Sequence, residues 1–414
     1  MQIVWEGNWV SPNGHATVAR NIVRGLVRLG ADVKLKTTEA YSTLQYASFL
    51  DADLLALASK ADAPPEEMIR IIHRVPTDFQ RGPERLTVGV IYTEATDMPR
   101  EWVQRINSEV DTLVLPSEQA ARSAHGAGVI RPIWVVPQGV DVETFRPMAK
   151  GEVDVFDFPG FRFLSVFEWV PRKGYDALLR AYWREFSKRD EVCLVIKTRY
   201  FGPRTAATEI GNLYQRYFAV GSTKRNGNKR GNALVHGRGQ QRRRSVGNRW
   251  QTSSFGLRFA PGNKAPIYLY DGLLSDSDLA RLYRHCSAFV LPTRGEGIGL
   301  PLMEAAATGL PIVVTGWGGQ MDYLRQEDVY IVSYKLQPVP KKMQVKWQSL
   351  QGYWAEPSIL SLRRKMRGVY ASRGEIRPMA LRQRLHVTSH WNWDVCVRDL
   401  LGYLEAAVGQ KLSN

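Results

Sequence analysis

The stretch from Pro292 to Val314 carries the residues best suited to chemistry, two carboxylates, Glu296 and Glu304, with seven residues between them. A strand ending near Leu291 would feed a loop in which Gly297 and Gly299 let a ligand approach the backbone. Pro301 fits the first turn of a following helix, where no N–H is needed from it. Such a helix start offers unpaired N–H groups and the positive end of its dipole to an anion. A carboxylate accepts hydrogen bonds from two neighbouring hydroxyls at once, so Glu304 suits a ribose diol and Glu296 suits the hydroxyls of a sugar. An anion site flanked by carboxylates points to a phosphate-bearing, polyhydroxylated ligand. Taken alone, each glutamate is more often an ordinary helix-start or loop charge.

These residues need elements to hold them, and the chain supplies a repeating grammar. Gln2 to Trp5 reads as a buried strand, followed by a Ser11-Pro12-Asn13-Gly14 loop and a helix from about His15 to Leu29. There Val18, Ile22, Val23, Leu26 and Val27 recur at three- and four-residue steps. A strand at Asp32 to Leu35 follows. The pattern returns at Leu86 to Tyr92, with a helix after Pro99 and strands at Asp111 to Leu115 and Ile133 to Val136; Ser117 reads as an N-cap. A second series begins at Phe161 to Val166 and continues through a helix at Gly174 to Phe186 and a strand at Val192 to Ile196. It includes strands at 267–270, 288–291 and 311–314, and a capping box at Ser275 and Asp278. Short apolar strands alternating with amphipathic helices imply parallel sheets covered on both faces. The expected architecture is therefore α/β, with two Rossmann-like doubly wound domains facing a cleft. Residues 1–150 form the first domain, 151–390 the second, and a helix in 391–414 closes back on the structure.

With 414 residues, 44% hydrophobic and 23% charged, the chain is long enough for two cores, and wholesale disorder is excluded. No apolar run approaches the ~18 residues of a spanning helix, and the N-terminus lacks a secretory pattern. A cytoplasmic protein is expected, with peripheral association at the inner face of a membrane left open. Cys193, Cys286 and Cys396 show no paired spacing, so reduced thiols and no zinc site are expected. The net charge of +16 is local: residues 210–270 hold twelve Lys and Arg and no acid, which leaves +4 for everything else. That segment, rich in Gly, Asn and Arg, reads as disorder or an exposed basic insertion, with translation out of frame as a third reading. Nucleic acid is not expected as a partner.

The Glu296 to Glu304 stretch resembles the E-x(7)-E signature of the retaining nucleotide-sugar glycosyltransferases of family 4, which have the GT-B fold. VVPQGVDVETFRP at 135–147 resembles that family's passage at the end of the first domain. LVLPSEQAARSAHGAGV, VPRKGYDALLRAY, DLARLYRHCSAFVLPTRGEG and WAEPSILSLRRKM extend the likeness to about five sixths of the chain. The resemblance implies transfer of a mannose- or glucose-like sugar from a nucleoside diphosphate donor to a hydroxyl acceptor, saccharide or lipid-linked, with retention at the anomeric carbon. It implies no cofactor beyond the nucleotide-sugar co-substrate. It places Lys173 on the donor diphosphate, where a fixed ammonium stabilises leaving-group charge. The second basic position of the family is Glu168 here, a departure that Arg172 would have to offset. Glu304, Gly297, Ile298, Gly299, Leu300 and Gly14 fall on the donor side, and Glu296 beside the reacting sugar. His15 and Glu94 fall on the acceptor side, His15 being as readily structural. His125 and His285 receive no role. Lys173 and the helix start replace a metal, no residue is an obvious nucleophile, and a front-face displacement is expected. Replacing Glu296 by Ala is expected to abolish transfer and leave the fold intact. The rival reading is a scaffold whose catalysis has decayed and whose basic segment grips RNA or anionic lipid.

Overall fold

The computed structural model describes residues 1–37, 51–153, 156–200, 205–218, 250–253, 255–344 and 350–412. The first sheet comprises β1 (Gln2–Gly7), β2 (Asp32–Lys36), β3 (Met68–His73), β4 (Leu86–Val90), β5 (Thr112–Leu115) and β6 (Ile133–Val135), all parallel, in the order β2-β1-β3-β4-β5-β6. Successive side chains leave a strand on opposite faces, which is why its apolar runs are unbroken. Ile71 and Val114 join one core with α1 (Gly14–Arg28). Ile72, Leu113 and Leu115 join another with α3 (Arg100–Glu109) and α4 (Glu118–Ala127). A short α2 (Ala52–Ser59) lies against β2. Asn13 caps α1 by accepting from the Ala16 N–H at 2.9 Å, and Ser117 caps α4 from Ala120 at 3.2 Å as its position predicts.

The second sheet has β7 (Phe161–Glu168), β8 (Val192–Arg199), β9 (Trp250–Ser253), β10 (Gly256–Phe259), β11 (Ile267–Asp271), β12 (Ala288–Leu291), β13 (Ile312–Thr315) and β14 (Tyr330–Val332). Their order is β14-β13-β12-β7-β8-β11-β10-β9. Six strands are parallel, and β9 and β10 add an antiparallel edge. Its helices are α5 (Tyr175–Glu185), α6 (Ala206–Phe218), α7 (Asp276–Arg284), α8 (Leu300–Thr308), α9 (Ile359–Ala371) and α10 (Arg377–His390). The Ser275 hydroxyl caps α7 by accepting from Asp278 N–H at 3.1 Å, but the Asp278 carboxylate accepts from that hydroxyl at 2.7 Å instead of from the Ser275 N–H, so the expected box is present only as its cap.

Two expectations change here. The basic segment 210–270 is not one unstructured insertion. Residues 210–218 finish α6, whose Ile210 and Leu213 are buried, and β9, β10 and β11 pair edge to edge; 219–249 lies outside the described residues. Phe255 and Phe259 are core residues whose period the surrounding arginines mask, and Ile267 opens the strand expected at 267–270. The second change is an arm: β15 (Tyr334–Pro338) and β16 (Tyr353–Pro357) form a separate antiparallel ribbon. Finally α11 (Trp393–Val408) crosses back, with Val397, Leu400 and Leu404 in the core of the first sheet. Gly25 on α1 admits this close approach, since a Cβ there would stand 2.7 Å from Val397 Cγ2. No helix among the described residues is long and apolar enough to cross a membrane.

Candidate functional site

Four loops, each at the carboxyl end of a parallel strand, converge between the two sheets: Gly14–His15 after β1, Tyr92–Glu94 after β4, Pro171–Lys173 after β7 and Arg294–Gly299 after β12. Such ends are where α/β sheets hold ligands, because helix starts and loop N–H groups gather there. Pro171–Lys173 is a single 3-10 turn closed by Gly174 at φ +69°, where a Cβ would fall 2.0 Å from the Pro292 carbonyl oxygen.

The sequence-predicted residues divide into groups. Glu296, Lys173, Arg172 and Glu94 form one charge cluster. Lys173 Nζ donates to both oxygens of Glu296 at 2.7 Å, Arg172 Nη1 lies 3.4 Å from Glu296 Oε2, and Arg172 Nη2 lies 3.0 Å from Glu94 Oε1. The Glu296 side chain is only 4% exposed. Burial would raise its pKa, but Lys173 and Arg172 outweigh it and hold the carboxyl below its usual range. For Lys173 burial wins, and the ammonium pKa is lowered despite Glu296. For Arg172 burial is outweighed by Glu94 and Glu296, with exposed Glu168 adding to the upward shift. Glu168 thus remains outside the cluster's hydrogen bonds, and Arg172 stands beside Lys173 against Glu296.

This burial corrects the expectation that Glu296→Ala leaves the fold intact. Glu296 balances two buried cations, and removing one partner of a buried pair is destabilising because the other charge is stranded.

Glu304 stands apart. It accepts from Tyr283 Oη at 2.8 Å, and burial pushes its carboxyl up to about 7, with Lys197 pulling down. Gly297, Ile298 and Gly299, expected to open onto a donor, are buried. A Cβ on Gly297 would meet Tyr92 Cβ at 3.4 Å, Gly299 has φ +87°, and Tyr323 Oη donates to the carbonyls of Ile298 and Gly299. The loop packs against Tyr92 of the first domain. Leu300 and Gly14 meet across the cleft, a Cβ on Gly14 lying 3.9 Å from Leu300 Cδ1.

His15 is exposed, with its ring stacked on His73 at 5.7 Å and edge-on to Tyr92 at 4.7 Å. Desolvation within the cleft, then the Arg172 and Lys173 charges, lower its pKa against the pull of Glu94. His73, buried beneath it, is lowered to about 3 by burial and by His15. His73 is therefore neutral at pH 7, while His15, exposed at the rim of the cleft, is only displaced downward from its ordinary value.

Sequence reading missed His73, Tyr92, Tyr283 and Arg294. His73 ends β3, a strand whose run Met-Ile-Arg-Ile-Ile-His is interrupted by an arginine. Arg294 stands two residues before Glu296 in a loop otherwise of small residues, the one local signal that was available. Among the described residues no group of three or more His, Cys, Asp or Glu could hold a metal ion.

Four likenesses bear on this geometry. A family model described as "Glycosyl transferases group 1" matches residues 233–337, about a quarter of the chain, including Glu296 and Glu304. Sucrose-phosphate synthase from Thermosynechococcus elongatus superimposes with a TM-score of 0.62 at 14% identity, covering 99% of each chain. HepE of Anabaena, solved with UDP and glucose, does so with a TM-score of 0.61 at 12% identity, covering 98% of this chain and 100% of that one. The fold is GT-B. A protein of Sulfolobus islandicus filamentous virus named "Putative glycosyltransferase 45" is 34% identical over 87 residues, which are 20% of this chain. The match spans 23% of that relative's length.

Proposed function

We propose that this chain transfers a hexosyl group from a nucleoside diphosphate donor to a hydroxyl acceptor, with retention at the anomeric carbon and without a metal ion. The observation that carries this reading is the cluster of Lys173 and Arg172 against Glu296, with Glu94 on Arg172, assembled from three loops at strand ends. The leaving nucleoside diphosphate gains negative charge as the glycosidic bond breaks. Two fixed cations in a site that excludes water stabilise that charge more than they stabilise the ground state. Glu296, held ionised by those cations, is suited to accept from sugar hydroxyls once the diphosphate takes its place on Lys173. Glu304 and the α8 start serve the ribose and the diphosphate. His15, its pKa lowered, can accept or donate a hydrogen bond at the acceptor side as a neutral imidazole. HepE binds UDP and glucose, which favours a UDP-hexose as the first donor to try. The acceptor, saccharide or lipid-linked, would enter from the first domain, at the inner face of a membrane if lipid-borne.

The test is a panel of UDP-, GDP- and ADP-hexoses with nucleoside diphosphate release as readout, and proton NMR of the product's anomeric signal. Release with at least one donor and a product of the donor's anomeric configuration are expected. No release and no binding of any nucleoside diphosphate would overturn the reading.

A further inference from the structure

One buried cation in the site loop is not part of the cluster that faces the proposed donor. Arg294 is 5% exposed, and all five of its guanidinium N–H positions are engaged. Nε and Nη2 donate to Glu356 at 2.6 and 2.8 Å, Nη1 and Nη2 donate to Asp176 at 2.8 and 3.0 Å, and Nη1 also donates to the Pro171 carbonyl at 2.6 Å. Its guanidinium carbon lies 5.3 Å from the centroid of Trp354. The main chain is tied to the same neighbours: Arg294 N–H donates to the Arg172 carbonyl at 2.7 Å, and Ala355 N–H donates to the Arg294 carbonyl at 2.9 Å.

The segments so joined are the ones that set the charge cluster. Pro171 opens the turn that bears Arg172 and Lys173, Asp176 begins α5 just after it, and Arg294 stands two residues before Glu296. Glu356 and Trp354 belong to β16, and Trp354 shares a small apolar core with Ala95, next to the Glu94 that pairs with Arg172. With its donors consumed and its charge offset by two carboxylates, Arg294 has nothing left to offer a phosphate. Its planar fork, matched to two carboxylates at once, fixes angles as well as distances, which a lysine cannot do.

We propose that Arg294 is a positioning residue for the diphosphate-binding cations, an inference that rests on the transfer reaction proposed above. It holds the Pro171–Lys173 turn at a fixed distance from Glu296 and from the loop of the first domain. A catalytic charge displaced by about 1 Å loses much of its effect on the transition state.

The experiment compares Arg294→Ala and Arg294→Lys with Arg367→Ala, which removes an α9 arginine, its side chain 35% exposed, that bridges Glu185 and Asp190 away from the cluster. Melting temperature, kcat and donor KM are measured for each, together with the rate of Lys173 acetylation by mass spectrometry without donor. Expected for both Arg294 variants are a kcat at least thirtyfold lower, a donor KM within about threefold, and Lys173 acetylation at least tenfold faster. Arg367→Ala is expected to lose comparable melting temperature while kcat and Lys173 reactivity stay near wild type. Guanidinium ion added to Arg294→Ala is expected to restore part of kcat. The proposal is overturned if Arg294→Ala keeps kcat within twofold, if Lys173 reactivity is unchanged, or if Arg367→Ala loses kcat to the same degree. Should Arg294→Ala not fold, Glu356→Gln and Asp176→Asn carry the same expectations. If the wild type turns over no donor, Lys173 protection still decides the positioning claim, while the transfer reading falls on its own.

Discussion

Replacing Glu296 by Gln probes the charge cluster with the least change of shape. In the native site Lys173 Nζ sits 2.7 Å from both carboxylate oxygens and Arg172 Nη1 3.4 Å from one, with side chains 11% and 13% exposed. Gln offers one acceptor and one NH2, and both neighbours are pure donors, so one contact becomes donor against donor. Removing one partner of a buried pair costs about 3–5 kcal/mol. For a unit of this size, with about 2–4 °C per kcal/mol, the melting temperature should fall by about 6–20 °C. Turnover should fall by about 10²–10³, the usual loss on removing one preorganised electrostatic group. Saturating nucleoside diphosphate at 100 times its Kd stabilises a folded protein by about 2.7 kcal/mol. Because the ligand's charge fills the place Glu296 leaves, its stabilisation should be greater in the variant than in the wild type. Differential scanning fluorimetry with and without UDP, beside an assay of nucleoside diphosphate release, reads all three quantities. Turnover within twofold of wild type would refute a catalytic role for Glu296. A melting temperature within 2 °C would refute the view that it balances the buried cations.

Two further outcomes follow from named distances. The Glu304 carboxyl is raised to about 7 by burial, so its ionisation opposes folding; the burden is absent below about pH 4.5, grows as pH rises, and is complete above about 7. Glu304→Gln should therefore gain stability relative to wild type by about 1–3 kcal/mol between pH 4.5 and 8, seen in paired urea titrations, while donor KM rises. A gap between the two proteins that does not change with pH would count against this. Gly295→Ala places a Cβ 1.9 Å from the Glu94 carbonyl oxygen, forcing the two domain loops apart; lost turnover and a stability loss of about 1–3 kcal/mol are expected, and normal kinetics would show that the loops need not touch.

What could be read before folding was local. The alternation of short apolar strands with amphipathic helices gave two doubly wound sheets, because a parallel strand buried on both faces has no polar positions to interrupt it. Ser117 and Ser275 were recognisable as caps, since a cap depends on residues three apart. Where strong local composition contradicted the core, reading failed. The arginines of 210–270 hid the strand β10 carrying Phe259 and the end of α6 carrying Leu213.

By itself the sequence determined which side chains stand at strand ends: Lys173 before a helix, Glu296 in a glycine loop, Glu304 in the helix that follows, His15 after the first strand. The tertiary structure alone decided which charges meet. It set Glu296 between Lys173 and Arg172, turned Glu304 to Tyr283, closed the glycine loop beneath Tyr92, and placed Arg294 where it joins three segments. The reason is one of range. Helix period, caps and turns act over a few residues, whereas an ion pair between distant loops depends on how two sheets pack, and no local pattern encodes that distance.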